Sequence, residues 1–203
     1  ARKIIVNLAK QNRVRTIVKS KSMATEEIEL NHALEAAGIE AVETDMGEYV
    51  AQMAHEPPSH IIAPIIHKTK EQVADLFSAA AGKTIPAIPA ELNAYARRTL
   101  RPKFLQAEMG ISGANFAVAE TGTVVLVTNE GNGRLCTSAP RIHVAVMGAD
   151  KVIPTLDDLA VMLTLLTRSA TGQKISVYVS MLSGPRREDE PDGPEEFHLV
   201  IMD

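Results

Sequence analysis

Short apolar runs rich in β-branched residues, set apart by stretches with helical spacing, impose the tightest limit on how this chain can fold. Residues 116–119 and 123–127 are too short and too β-branched for helices and read as buried strands. Further strands are expected at 16–19, 39–44, 60–63, 142–147, 175–181 and 197–202. Helices fall between the early ones. Ser22 or Thr25 caps a helix with Glu26 and Glu27 in its first turn, and Gly38 ends it. A short helix is expected over 48–54, and Pro57-Pro58 then breaks the chain. Val73, Leu76, Phe77 and Ala80 share one helical face, which Gly82 terminates. Residues 83–112 read as two helices, one marked by Leu92, Tyr95 and Ala96. The other opens at Pro102 with Phe104, Leu105 and Met109 inward. A last helix is expected over 156–167. Alternating strands and helices imply an α/β domain in three αβα layers. Strand followed directly by strand in the second half adds antiparallel pairs, so the sheet is expected to be mixed but largely parallel.

The 203 residues suffice for one core, and a single domain over 1–203 is expected. With 21 basic and 25 acidic residues the net charge is −4, which gives no global footprint for nucleic acid. Cys136 is the only cysteine, so the chain holds no internal disulfide and no multi-thiolate metal or cluster site. A reducing cytoplasm fits that usage. The longest apolar stretches, 116–127 and 159–166, fall short of the roughly 20 residues a membrane span needs, and no signal peptide is visible.

In open α/β sheets ligands bind beyond the carboxyl ends of the strands, which directs attention to particular loops. Lys19, Ser20, Lys21 and Ser22 follow the first strand and precede a helix, so two ammonium groups, two hydroxyls and free helix amides could hold a phosphate or carboxylate. The other reading makes Ser22 a simple cap and the lysines solvated charges. Glu120, followed by Thr121, Gly122 and Thr123, interrupts two buried strands. It is a candidate nucleophile or general base, or else a loop anchor that accepts backbone hydrogen bonds. Asn129, Glu130, Gly131, Asn132, Gly133 and Arg134 offer amides with little bulk and one guanidinium, suited to an anion or to an ordinary turn.

Arg141 and His143 share a strand face opposite Ile142 and Val144. Arg141 is a candidate anion ligand, whereas a satisfied structural hydrogen bond suits His143 better. The scattered histidines form no metal motif, and Cys136 reads as a small buried residue. No G-x-S-x-G elbow, P-loop or dinucleotide G-x-G-x-x-G is present, which weighs against hydrolase, nucleotidase and dehydrogenase readings. Residues 185–196, with three prolines and a dense charge run, read as a solvated connection.

Four segments carry a family resemblance: KSKSMATEEIELNHALEAAGIEAVETDMGEYVAQ, EPPSHIIAPIIHKT, LRPKFLQAEMGISGANFAVAETGTVVLVTNEGNGRLC and SATGQKISVYVSMLSGPRR. Together they resemble the LUD domain of the lactate-utilisation protein B family over nearly the whole chain. The resemblance implies a fold similar to the ribose-5-phosphate isomerase and CoA-transferase superfamily. It also implies a place in a cytoplasmic system that oxidises L-lactate to pyruvate, with the other components of that system as partners and a small anionic metabolite as ligand. The family's [4Fe-4S] clusters lie in a ferredoxin-like region after this domain, so the chain is expected to be an N-terminal part with no cofactor of its own. By the same likeness Glu120 falls where CoA-transferases carry a catalytic glutamate. Two other readings stand beside this one: a non-catalytic module that docks the other components, and an acyl-CoA or sugar-phosphate enzyme.

Overall fold

The computed structural model describes residues 1–59, 63–176 and 178–203. Five strands, β1 (Thr16–Lys19), β2 (Glu40–Glu43), β3 (Met109–Gly113), β6 (Ile142–Gly148) and β9 (Glu196–Met202), form a sheet in the order β2-β1-β3-β6-β9. Every pairing in it is parallel. A second sheet, ordered β7-β4-β5-β8, holds β4 (Phe116–Val118), β5 (Thr123–Thr128), β7 (Val152–Ile153) and β8 (Tyr178–Leu182). It is mixed, because β4 and β5 form a hairpin while β4 pairs with β7 in parallel. The α/β class read from the sequence is thus observed, with the antiparallel pairs confined to this second sheet. The strand expected over 60–63 falls, but for Ala63, outside the described residues, as does Val177 of the one expected over 175–181.

Strand alternation assigns the core. Ile17, Met109, Ile111, Ile142 and Val144 point to one face of the parallel sheet, where they meet Ile5 and Ala9 of α1 (Arg2–Gln11) and Leu30 and Leu34 of α3 (Leu30–Ala36). Their neighbours Val18 and Val42 point the other way, onto Leu100 and Phe104 of α6 (Pro89–Gln106) and Cys136 of α7 (Gly131–Ser138). Ala145, on that same face, meets Val124 and Leu126 of the second sheet. Helices therefore cover both faces of the parallel sheet, and the second sheet closes part of one of them.

Three expectations change. Residues 83–112 hold one helix rather than two, and it runs through Pro102. Leu92, Ala96, Leu100 and Phe104 recur every fourth residue and are all buried, so packing on both sides of the proline offsets its cost of roughly 3 kcal/mol. Leu105, expected inward, is 70% exposed, and Met109 belongs to β3. The glycine-rich run after β5 is the first turn of α7 instead of a loop, with Glu130 as its extended N-cap residue. The helix begun at Ser22 is split into α2 (Met23–Glu27) and α3 by Glu29 in the left-handed region.

Gly110 explains how α7 seats against β3. A Cβ there would stand 1.8 Å from the carbonyl oxygen of Cys136, so helix and strand approach closely only because the side chain is missing.

Candidate functional site

The carboxyl ends of β1, β3 and β6 open onto a cleft of about 600 Å3, closed on its other sides by the end of β5, the first turn of α7 and the last turns of α8 (Leu156–Thr171). That is the size range of small-molecule sites. Ser22 lies against the floor, and its hydroxyl would be only 3.0 Å from a Cβ on Gly113. Its oxygen caps α2 by accepting from the amide of Thr25 at 3.4 Å, while the amide of Ser20 donates to the carbonyl of Ile111 at 2.9 Å. These bonds leave Lys21, an exposed residue between two buried serines, at the cleft.

Lys19, two residues earlier, is 1% exposed and serves a different purpose. Its ammonium donates to Glu43 Oε1 at 2.6 Å and to Asn31 Oδ1 at 2.7 Å, and Asn31 in turn donates to Glu43 Oε1 at 2.7 Å. Glu48, in the first turn of α4 (Met46–Met53), lies close enough to Glu43 to feel its charge. Burial, then the Glu43 carboxylate, pushes the Glu48 carboxyl up to about 9, so it enters this cluster protonated. Lys19 is therefore a structural cation beneath the cleft and not a ligand group within it.

At the rim, Asp45 caps α4 by accepting from the amides of Gly47 at 3.1 Å and Glu48 at 3.2 Å. Glu130, which begins α7, lines the same cleft. Burial raises the Glu130 carboxyl above its ordinary value, the Asp45 charge raises it further, and Lys21 works the other way. Lys151, across the cleft, pairs with Asp150 at 2.9 Å.

Of the residues singled out from the sequence, Ser20, Lys21, Ser22, Asn129, Asn132 and Gly133 converge on the cleft. The others are placed elsewhere. Gly131 opens α7 without lining the cleft, and Arg134 lies over the ring of Tyr178 at 4.5 Å. Glu120, Thr121, Gly122 and Thr123 form the β4–β5 hairpin at the far end of the second sheet, five strand residues or roughly 17 Å from Thr128 at the cleft. There Glu120 Oε2 accepts from the amide of Leu156 at 3.3 Å, Gly122 has φ +67°, and Thr123 meets Ser183 at 3.1 Å. Glu120 thus ties the hairpin to the start of α8. Arg141 stands at the opposite end of β6, donating to the carbonyl of Asn12 at 3.0 Å.

His143 Nε2 bonds to Ser112 Oγ at 2.8 Å and its ring stacks on Phe197, while burial pushes its pKa down to about 4. It is a neutral structural histidine. The sequence reading passed over Asp45 and Lys151. Asp45 carried a legible signal, a capping residue three positions before Glu48, whereas Lys151 shows its place only once β6 is known to end at Gly148.

Cys136 is fully buried and its thiol is pushed up to about 12 by burial. One inert thiol does not fit an iron-sulfur cluster, which needs several thiolates. Among the described residues no group of three or more His, Cys, Asp or Glu is placed to hold a metal ion, and no helix is long and apolar enough to cross a membrane.

The profile of the LUD domain family matches residues 1–202. A lactate utilization protein B from Lysinibacillus sphaericus (strain C3-41) is 54% identical over 200 residues, covering 98% of this chain and 42% of that protein. Another, from Shouchella clausii (strain KSM-K16), is 52% identical over 204 residues, covering 100% of this chain and 43% of the relative. The chain thus spans less than half the length of these curated relatives. Among solved structures, a DUF162 family protein from Deinococcus radiodurans matches at 19% identity with a TM-score of 0.40, covering 77% of this chain and 93% of that one. On the full-length profile match and the identity to these relatives, the chain belongs to the LUD domain family.

Proposed function

We propose that this LUD domain binds a small anionic metabolite in the cleft at the strand ends, as the ligand-binding part of a cytoplasmic iron-sulfur oxidoreductase component that takes part in the oxidation of L-lactate to pyruvate. The observation that carries the binding reading is the convergence of Lys21, Lys151 and the first turn of α7 on one cleft. Two ammonium groups and outward-facing helix amides favour a carboxylate or phosphate. A role in lactate utilization draws on relatives named lactate utilization protein B, while the oxidation step and the clusters that would carry its electrons are what the family resemblance implies for the whole protein. Within this chain the work is binding and orientation, and Glu120 braces α8.

Calorimetric titration with L-lactate, pyruvate and coenzyme A tests the reading. At least one is expected to bind, with Lys21→Met or Lys151→Met weakening it about tenfold or more, the usual scale for a charge-assisted hydrogen bond. Glu120→Gln should leave the affinity unchanged. No binding by any of the three, or loss of binding through Glu120→Gln alone, would remove it.

A second reading, a docking module for the other lactate-oxidation components, draws on exposed apolar side chains: Val161 and Leu165 on α8 and Ile201 on β9, each more than half exposed. Co-purification with those components that survives Lys21→Met but fails on Val161→Asp would favour it.

A further inference from the structure

The two ends of the parallel sheet are finished differently. Backbone groups along a strand point alternately to its two sides, so an end strand leaves every second amide and carbonyl unpaired. In β2 the amide of Glu40 donates to the carbonyl of Arg15 and that of Thr44 to the carbonyl of Lys19, which turns Ala41 and Glu43 outward. Gln52 of α4 occupies that outer side. Its Oε1 accepts from the amide of Glu43 at 3.0 Å, and its Nε2 donates to the carbonyl of Ala41 at 2.7 Å. Those are the bonds that a residue of a further parallel strand, set opposite Val42, would make. The Gln52 carboxamide stands in for that strand and closes the β2 edge.

At the other end the edge is open. The amide of Glu196 donates to the carbonyl of Arg141 at 3.1 Å, so Phe197, Leu199 and Ile201 turn their amides and carbonyls away from β6. Among the described residues nothing bonds to those groups. Val200 and Met202 point into the core under α1 and α3, whereas Leu199 and Ile201 point to the opposite face and are exposed, Ile201 at 51%. β8 ends the second sheet on the same side of the molecule, because its Leu182 packs with Phe197 on one cluster. It adds Val179 and Met181, both exposed. Glu196 is the one carboxylate on these two strands, and Arg141 meets it at 3.8 Å and His198 at 3.1 Å. The open edge is therefore apolar and carries no unanswered charge.

An edge of this kind takes up another strand through its backbone, and β9 is its own complement. When two copies run antiparallel about a two-fold axis at Leu199, that residue meets its counterpart and Phe197 meets Ile201 of the other copy. These are the positions whose amides and carbonyls are unpaired, so each facing pair exchanges two backbone hydrogen bonds. Glu196 then faces Met202, and no like charges are opposed. Head-to-tail growth, β9 onto β2 of the next copy, is blocked by Gln52, so assembly closes at two. We infer that the protein forms a two-fold dimer through β9, which joins two parallel sheets into one, with the exposed side chains of β8 flanking the joint. The inference is independent of the anion-binding reading. It assigns Ile201 to a second copy and leaves α8 to any other partner.

Sedimentation velocity of the purified protein over a concentration series tests this. A dimer is expected, and amide hydrogen exchange in it should protect Phe197, Leu199 and Ile201, which a monomer leaves open. Leu199→Lys and Leu199→Asp each set like charges against one another across the axis, so either alone should raise the dimer dissociation constant about tenfold or more. Mixing the two variants should restore the dimer, because residue 199 meets itself only under this symmetry. The Leu199 side chain is exposed, so both variants keep the monomer fold, which circular dichroism checks. A monomeric unaltered protein, a dimer indifferent to both substitutions, or a mixture that stays monomeric would each overturn the inference. A monomer whose β9 amides gain protection only on adding the other lactate-oxidation components gives the edge to them and overturns it equally.

Discussion

Lys19 and Glu48 are almost wholly removed from water, at 1% and 2% exposure, and each depends on Glu43. Removing one partner of a buried ion pair strands the other charge, at a cost of about 3–5 kcal/mol. Glu43→Ala is accordingly expected to destabilise the fold by that amount, measured by urea denaturation. Glu48 adds a pH dependence whose sign is fixed. The folded protein holds its proton up to about pH 9 while the unfolded chain releases it near 4.5, so this contribution is full below 4.5 and is lost as pH rises towards 9. His143 acts in the opposite sense, losing stability as pH falls from 6.5 to about 4, so the Glu48 slope is best read above 6.5. Glu48→Gln, which fixes the neutral form, should flatten that slope in denaturation midpoints taken across the window. Lys19 falling on the same face of β1 as Ile17, under α3, is legible from strand alternation. Its carboxylate partner is 24 residues away, and no local pattern announces such a pairing.

Helices and strands were legible wherever burial is periodic. Residues 16–19 and the face through Val73 and Phe77 appear as their spacing implies, with Gly82 left-handed at the helix end. The reading failed where a local punctuation signal opposed a tertiary contact. Pro102 and the glycines of α7 look like breaks in sequence, yet the buried faces of both helices outweigh them. Gly110 shows how the contact works. Gly110→Ala would drive a methyl into the Cys136 carbonyl, and a cost of at least about 3 kcal/mol is expected, the upper end of the range for overpacking. Gly131→Ala meets no atom within 4 Å and should be neutral or slightly stabilising. Parallel thermal melts of the two variants separate close approach from simple glycine flexibility.

Across the whole molecule, the two sheets divide the labour. The parallel sheet carries the core and ends at the cleft, and the second sheet supplies the far wall through β5 while its hairpin reaches away to brace α8. The α/β pattern alone directs attention to the strand ends, and Ser20, Lys21, Ser22 and Asn132 do line the cleft found there. Glu120 drew attention because a carboxylate between two buried strands resembles a catalyst. Its position at the outer turn of a separate sheet is a property of topology, which residue types do not record. The central claim, that the cleft and not the Glu120 hairpin is the functional site, is tested most directly by amide NMR during titration with pyruvate, L-lactate and coenzyme A. Shifts concentrated at Lys21, Asn132, Gly133 and Lys151 are predicted. Shifts confined to residues 120–123, or none with any of the three, would contradict it.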